Sequence, residues 1–239
     1  MKSDNSMRFI KAYNMIDNAL RVQGDMKRSI SYTEAVHRAA RTNGIVKKYE
    51  DELVDYGRLR NAIVHSSNED YVIAEPHDDV VENYEKIAQM ICTPPLALNT
   101  VAFKNVVTLN HDMILKDVME YIYKSGYSSV PIYKDNMLVG VANASKILQK
   151  LGNKIYEKKD VNEYIETTTI EEVVKDLREE NFYTIVDEKV TLDTVLSLFT
   201  ENRKLLLILI TKNGSLLEKP MGLVAVSDIM DINKILDNY

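Results

Sequence analysis

Three polar residues near the end of one helical segment have side chains that can do chemistry. They are Arg60, Asn61 and His65, within the stretch RNAIVH. A histidine can remove or donate a proton, and an arginine can stabilise the charge of a crowded phosphate without a metal ion. Asn61 and His65 are four residues apart, so they share one face of a helix. The three residues either hold the helix in place or act chemically on a bound molecule.

The same arginine also has a structural interpretation. Arg60 falls within the apolar stripe of its helix, which is formed by Leu53, Tyr56, Leu59, Ile63 and Val64. Because a buried charge is costly unless it is paired, Arg60 needs a carboxylate partner or a wet cleft between two chains. We prefer the structural interpretation, an Arg60–carboxylate pair with His65 satisfied at an interface, and the catalytic interpretation stays open.

The composition limits the classes of protein to consider. The 239 residues suit one large or two modest domains, and the formal charge of −6 argues against a protein that coats nucleic acid. A basic run nevertheless lies between Arg8 and Lys48. The single cysteine, Cys92, excludes an intrachain disulfide, and we predict no metal site. No apolar run approaches the roughly 20 residues of a membrane-spanning helix, so we expect a cytoplasmic protein with no membrane partner.

The first 95 residues have the apolar spacing of amphipathic helices. Apolar residues recur every three or four positions from Phe9 to Leu20 and again from Val80 to Ile91. Ser31, with Glu34 three residues later, predicts the start of a helix that runs through Ala39, and a longer helix is predicted over 46–64. Pro94 and Pro95 cannot continue a helix. We therefore predict an all-helical domain at residues 1–95.

The remaining residues contain an internal repeat of mixed helices and strands. The predicted strands are 130–133, 138–142, 205–211 and 222–225, and the predicted helices are 115–123 and 192–200. Leu115 aligns with Leu192 at a constant offset, and five extra residues near 217–221 then bring Gly140 onto Gly222. A unit of helix, strand, turn, strand and helix therefore occurs twice.

Two stretches of this repeat resemble a known regulatory module. SGYSSVPIYKDNMLVGVANASKIL, residues 125–148, and LLLILITKNGSLLEKPMGLVAVSDIM, residues 205–230, are similar to the CBS domain, the cystathionine-beta-synthase type of module. The resemblance implies a tandem CBS-domain pair at 96–239, with repeats at about 100–155 and about 156–239. The predicted fold class is α+β, an N-terminal all-α domain followed by α/β repeats.

The resemblance also implies ligand-binding residues. In that family two repeats form two clefts that often hold adenine nucleotides. The implied residues here are Pro131, Ile132, Gly140, Asn143, Lys146, Gly222, Ser227 and Asp228. Asp228 stands where the first repeat has Lys146, and a carboxylate can accept from both ribose hydroxyls whereas an ammonium group only donates. We therefore expect the two clefts to bind ligand unequally.

The helical half resembles the HEPN superfamily, whose motif is an arginine followed after four to six residues by a histidine. The resemblance implies that Arg60 and His65 are the catalytic pair of its RNase members and that Asn61 supports them. Non-catalytic members exist, so the resemblance does not by itself imply an enzyme.

Together these observations predict a ligand-sensing regulatory protein. It binds an adenine nucleotide (AMP, ADP or ATP), or a related ligand such as S-adenosylmethionine or cyclic di-AMP, as an effector, and it transmits the signal to the helical domain. The alternative is a nucleotide-gated, metal-independent HEPN-type endoribonuclease with RNA as a partner. We expect a homodimer, no required cofactor and no DNA partner.

Overall fold

The computed structural model describes residues 4–65, 74–177 and 180–238, and the side chains of His65 and Asn238 lie outside this description. The chain divides into two compact units. Unit 1 comprises Met1–Pro95, Thr191–Ser197 and Lys234–Tyr239, and unit 2 comprises Leu96–Val190 and Leu198–Asn233.

The N-terminal part of unit 1 is helical throughout its described elements. These are α1 (Asp4–Gln23), α2 (Tyr32–Ala39), α3 (Gly44–Lys48), α4 (Glu50–His65) and α5 (Asp78–Cys92). The predicted start of α2 is confirmed, because Ser31 Oγ accepts the backbone N–H of Glu34 at 3.2 Å. The single helix predicted over 46–64 is wrong. Asn43 caps the short helix α3, and Tyr49, at φ −109° and ψ 20°, leaves the helical conformation before α4 begins.

The core of unit 1 lies mainly between α1 and α5. Of the apolar residues that recur at helical spacing on these two helices, Tyr13 and Val80 are partly buried. The others are fully or almost fully buried: Phe9, Ile16, Leu20, Tyr84, Ile87 and Ile91. The ring centroids of Phe9 and Tyr84 are 4.7 Å apart, and the Tyr84 hydroxyl lies 3.1 Å from that of Tyr32. The apolar spacing therefore identified the buried faces of both helices.

Unit 2 is built on two three-stranded sheets of the same topology. The strands of the first are β1 (Leu109–Asn110), β2 (Ser129–Lys134) and β3 (Met137–Asn143), and those of the second are β4 (Tyr183–Val186), β5 (Leu207–Ile210) and β6 (Gly222–Ala225). In each sheet the first pair of strands is parallel and the second pair is an antiparallel hairpin. The sequence predictions lacked β1, which has only two residues, and β4.

Helices are interspersed with the strands of both sheets along the chain. They are α6 (Leu115–Ser125), α7 (Ala144–Tyr156), α8 (Val161–Thr167), α9 (Ile170–Asp176), α10 (Leu192–Glu201) and α11 (Ile229–Asn238), with 3-10 turns at Ala97–Asn99 and Val226–Asp228. Leu115 and Leu192, aligned by the repeat, are both fully buried in the first turns of α6 and α10. The predicted α+β fold class, a helical region followed by paired α/β repeats, is confirmed.

The five extra residues of the second repeat belong to a connection that reaches the first repeat. This connection, residues 211–221, joins β5 to β6. The backbone N–H of Leu138 on β3 donates to the carbonyl of Leu216 at 2.8 Å, and the Tyr133 hydroxyl donates to the carbonyl of Glu218 at 2.9 Å. The insertion thus ties the two hairpins together through hydrogen bonds to the backbone carbonyls of Leu216 and Glu218, which any side chain at these two positions would permit.

None of the helices in the described part of the chain is both long enough and apolar enough to cross a lipid bilayer.

Candidate ligand-binding site

A cavity of about 220 Å³ lies in unit 2 beside the open ends of the two hairpins. Ser129 is paired with Asn143 at the end of the first hairpin, and Leu207 is paired with Ala225 at the end of the second. The lining residues are Phe103, Val107, Gly126, Tyr127, Ser128, Ser129, Leu207, Leu223 and Ala225. Both repeats therefore contribute walls to one cavity.

Local backbone geometry places the first wall. Gly126 ends α6 in the left-handed conformation, at φ 72°, which glycine adopts without steric cost. The chain then runs along the cavity through Tyr127 and Ser128 to Ser129, the first residue of β2. Phe103 is held against the second sheet by two backbone hydrogen bonds with Leu223, of 2.9 and 3.0 Å.

The cavity combines apolar surface with a few hydroxyl groups. Phe103 and Tyr127 lie with ring centroids 6.1 Å apart and remain 44% and 40% exposed, so both rings present apolar surface at the cavity. Ser129 Oγ accepts a hydrogen bond from Asn143 Nδ2 at 2.9 Å, so its own hydrogen is free to donate. Such a site suits a flat aromatic ring with hydrogen-bonding edges.

Asp228 lies next to the cavity and holds the start of the following helix. Its Oδ2 accepts the backbone N–H of Ala225, a lining residue, at 2.8 Å. Its Oδ1 is 3.4 Å from the Ser227 hydroxyl, which is a weak contact. A carboxylate in the first turn is also attracted by the positive end of the helix dipole. Asp228 is thus a helix-capping residue, and its partly buried carboxylate keeps unused acceptor capacity.

The aligned position of the first repeat is used differently. Lys146 is turned back onto its own unit, where Nζ lies 2.5 Å from Glu180 Oε2 and 5.9 Å from the centroid of the Phe182 ring. Its backbone N–H is accepted by Asn143 Oδ1 at 3.2 Å, so Asn143 is the N-cap of α7. In the first repeat, therefore, the side chain at this position makes contacts within the protein. In the second repeat the corresponding side chain, Asp228, keeps free acceptor sites.

The other predicted ligand-binding residues pack in the protein interior. Pro131 and Ile132 are buried in β2. A Cβ on Gly140 would lie 2.8 Å from Val174 Cβ, and one on Gly222 would lie 2.9 Å from Leu98 Cδ1. Both glycines therefore permit close packing of protein against the strands, and we assign them no direct contact with ligand.

None of the eight predicted residues lines the cavity, although Asn143 and Asp228 hydrogen-bond to residues that do. The site predicted from the sequence thus lacks all nine lining residues, among them Phe103, Val107, Tyr127 and Ser128. Gly126 was a usable signal for three of the lining positions, because a glycine between a helix and a strand predicts a turn whose residues stay exposed. Phe103 lies in irregular chain, and nothing in its sequence context marks it.

The residues of RNAIVH lie in unit 1. The Arg60 guanidinium carbon lies 5.0 Å from the centroid of the Tyr13 ring, and Nη1 approaches Asn61 Oδ1 at 3.4 Å. No carboxylate of the described residues pairs with Arg60, and its buried Nε has no hydrogen-bond partner among them. Among the described residues the contact of Arg60 is an aromatic ring, and the expected carboxylate pair stays a prediction. The side chain of His65 lies outside the described residues, so the proposed catalytic pair stays a prediction.

Comparisons with known proteins concern the second half of the chain. A protein-family model, the CBS domain, matches residues 99–153. A search of curated proteins found no match. The matched residues contain β1, α6, β2 and β3 and most of α7, the elements that form the first repeat.

Several solved structures are similar to the chain at low sequence identity. The structure of MJ1225 from Methanocaldococcus jannaschii has 15% identity and a TM-score of 0.47, over 73% of this chain and 62% of that one. The CBS domain of a bacterial CNNM/CorC family Mg²⁺ transporter, in complex with ATP, has 19% identity and a TM-score of 0.44, over 62% and 91%. CBSX2 in complex with AMP has 14% identity and a TM-score of 0.45, over 60% and 98%. By the family match and by its helix–strand–strand–helix structure, the segment at residues 99–153 of this chain is a CBS domain.

Proposed function

We propose that the chain is a ligand-sensing regulatory protein whose CBS repeats bind an adenine nucleotide or a related adenine-containing ligand. The observation that supports this proposal is the cavity beside the two hairpins, with its exposed rings and its serine hydroxyls. A concave apolar site with a few convergent polar groups is the usual form of a small-molecule site.

The dimensions of the cavity favour a ligand that is only partly enclosed. Its volume of about 220 Å³ is below the roughly 300–1,000 Å³ of pockets that bury most of a ligand. A base can lie against Phe103 or Tyr127, and the Ser129 hydroxyl can donate to an acceptor nitrogen of its edge. The rest of the ligand then extends past Ala225 toward Asp228, whose free acceptor sites suit ribose hydroxyls.

The binding test compares two aromatic residues with different surroundings. Titration calorimetry with AMP, ADP, ATP, S-adenosylmethionine and cyclic di-AMP identifies the ligand. Tyr127→Ala should weaken its binding about fivefold to 150-fold, since stacking on a base is worth about 1–3 kcal/mol. Tyr123→Ala is the matched control, because Tyr123 is an exposed tyrosine of α6 that does not line the cavity. Full affinity in Tyr127→Ala, or no binding of any ligand to the native chain, would contradict the proposal.

We propose that ligand binding reaches the helical part of the protein through α10. Asp193, in the first turn of α10, belongs to unit 1, where its carboxylate accepts the backbone N–H of Gly44 at the start of α3. Burial raises the pKa of Asp193. Along the chain α10 is followed by β5, whose Leu207 lines the cavity. A displacement of β5 by ligand can therefore change the strength of the Asp193–Gly44 hydrogen bond.

Amide hydrogen exchange tests this transmission. Ligand should change the exchange rates of residues 44–48 in the native chain, and Asp193→Ala should abolish the change without preventing binding. Equal responses in native and Asp193→Ala protein would show that α10 does not carry the signal by this contact.

We propose that two copies associate through α7. Leu148, Ile155 and Tyr156 are exposed on this helix, and a Cβ on Gly152 between them would have nothing within 4 Å. A glycine inside a helix costs about 1 kcal/mol relative to alanine, and no neighbour in the described chain requires it. With Gly152 on a twofold axis, Leu148 of one copy would meet Ile155 of the other, so the surface is self-complementary.

A further inference from the structure

The cavity in unit 2 has an unusual charge pattern for a site that would bind nucleotides. None of its nine described lining residues carries a charged side chain. The polar groups that it offers are the hydroxyls of Tyr127, Ser128 and Ser129 and the backbone. Phosphate groups are normally bound by lysine, arginine or converging backbone N–H groups, and no lining side chain supplies such a cation.

The start of the helix beside the cavity already carries a negatively charged side chain. The carboxylate of Asp228 accepts the N–H of Ala225 at the turn Val226–Asp228, which leads directly into α11. No lysine or arginine in the described parts of the chain pairs with Asp228. A ligand phosphate that approached this helix start would meet an uncompensated carboxylate, and the two negative charges would repel.

Three lysines around the cavity add no charge to its lining. Lys146, which is aligned with Asp228, is held by Glu180, and Lys124, just before Gly126, is held by Glu120. Lys104, beside Phe103, is exposed and does not line the cavity. Arg203 and Lys204, which precede the lining residue Leu207, are exposed and also do not line the cavity. Asp228, in contrast, is a charged side chain that hydrogen-bonds to a lining residue, within a chain whose net charge is −6.

We infer that this cavity recognises the nucleoside part of its ligand alone and selects adenosyl ligands that are neutral or positively charged. The inference rests on the proposed function and makes it more specific. Base and ribose contribute the binding through the rings, the serine hydroxyls and Asp228. Each added phosphate lowers affinity, because it gains no cation and faces a carboxylate.

The experiment measures affinity as a function of ligand charge. Calorimetry of the full chain with adenosine, AMP, ATP and S-adenosylmethionine, at about 50 mM and about 500 mM salt, covers charges of both signs and separates electrostatic from contact contributions. At low salt we expect adenosine and S-adenosylmethionine to bind at least about tenfold more tightly than ATP. At high salt this difference in affinity should become smaller. ATP binding tighter than adenosine overturns the inference and leaves the proposed function standing, whereas failure of all four ligands overturns both.

Two variants identify the residue responsible. Asp228→Asn keeps an oxygen that can accept the Ala225 N–H but removes the charge. It should therefore reduce the ratio of adenosine affinity to ATP affinity several-fold. Lys104→Gln is the control, and the ratio should stay as in the native chain. A selective loss of ATP affinity in Lys104→Gln would show that Lys104 contacts phosphate, and an unchanged ratio in Asp228→Asn would show that its carboxylate does not set the selectivity. Either result overturns the inference.

Discussion

Lys146 and Glu180 form an ion pair, with Nζ 2.5 Å from Oε2, at the position of the first repeat that corresponds to Asp228 in the second. The lysine is about one-fifth exposed and also lies near the face of Phe182. Asp228, in contrast, caps a helix beside an open cavity. The two repeats share their strands and helices but use this one position in opposite ways, which leads to the first prediction.

Substitution of Asp228 and of Lys146 should have unequal effects on ligand binding. Asp228→Ala should weaken adenosine binding by about 1–3 kcal/mol, because a charged hydrogen-bond acceptor is lost. Lys146→Ala should leave affinity within about twofold. Calorimetry measures both, and thermal melts check that loss of the cap on Ala225 has not unfolded the protein. Native affinity in Asp228→Ala would falsify the assignment of ribose recognition to this residue.

Alanine at the two aligned glycines should destabilise unit 2 to different degrees. In Gly140→Ala the new Cβ would lie 2.8 Å from Val174 Cβ, the stiff branch point of a valine. In Gly222→Ala the 2.9 Å contact is with Leu98 Cδ1, the end of a longer side chain that can move. We expect a loss of about 1–3 kcal/mol for Gly140→Ala and less for Gly222→Ala, measured by urea unfolding. The reverse order would contradict this description of the packing.

The free energy of unfolding should depend on Glu171 at low pH. Hydrogen bonds from Lys175 and His111 lower the pKa of Glu171 from 4.5 to about 2, and His111 Nδ1 lies 2.7 Å from its Oε2. Between these pH values the unfolded chain binds the proton and the folded chain does not, so stability falls as pH decreases. Above about pH 5 the contribution is complete.

Urea unfolding at pH 5 and at pH 3 measures this effect. Glu171→Gln should lose less stability than the native chain over this interval, because its amide does not titrate. Glu163→Gln, at an exposed position of α8, serves as control and should follow the native chain. Parallel losses in native and Glu171→Gln proteins would show that other carboxyl groups determine the acid sensitivity.

Association of two copies should depend on α7. Leu148→Glu and Gly152→Leu should each convert a dimer to a monomer in light scattering at micromolar concentration, the first by placing charge in an apolar contact and the second by blocking close approach. Leu217→Glu, at an exposed leucine of the β5–β6 connection, should remain dimeric. A native chain that is monomeric under these conditions, or a Gly152→Leu dimer, would count against the α7 interface.

RNA cleavage by the helical domain is the remaining prediction. If RNAIVH is catalytic, His65→Ala and Arg60→Ala should each abolish cleavage of single-stranded RNA in the presence of a chelator while the protein stays folded. Arg60 over the Tyr13 ring favours a packing role instead, for which Tyr13→Ala and Arg60→Ala should lower stability similarly and nonadditively. Intact RNA with every ligand that binds would leave RNAIVH as a packing element.

The sequence by itself determined the α+β class, the buried faces of α1 and α5 and the duplication of unit 2. These follow from local periodicity: Phe9, Ile16 and Leu20 recur as a helix turns, and Leu115 with Leu192 repeats at a fixed offset because both begin equivalent helices. The capping role of Ser31 could be predicted for the same reason, since its partner Glu34 is only three residues away.

Only the tertiary structure decided what the polar positions do. Lys146 meets Glu180 and Arg60 meets Tyr13 across long stretches of chain, and such pairings depend on how elements pack rather than on spacing. Phe103 became a cavity wall because backbone hydrogen bonds hold it to Leu223, 120 positions later. A motif can therefore predict which residue types a site contains, but whether a side chain faces a ligand or its own protein is set by long-range contacts that no local pattern encodes.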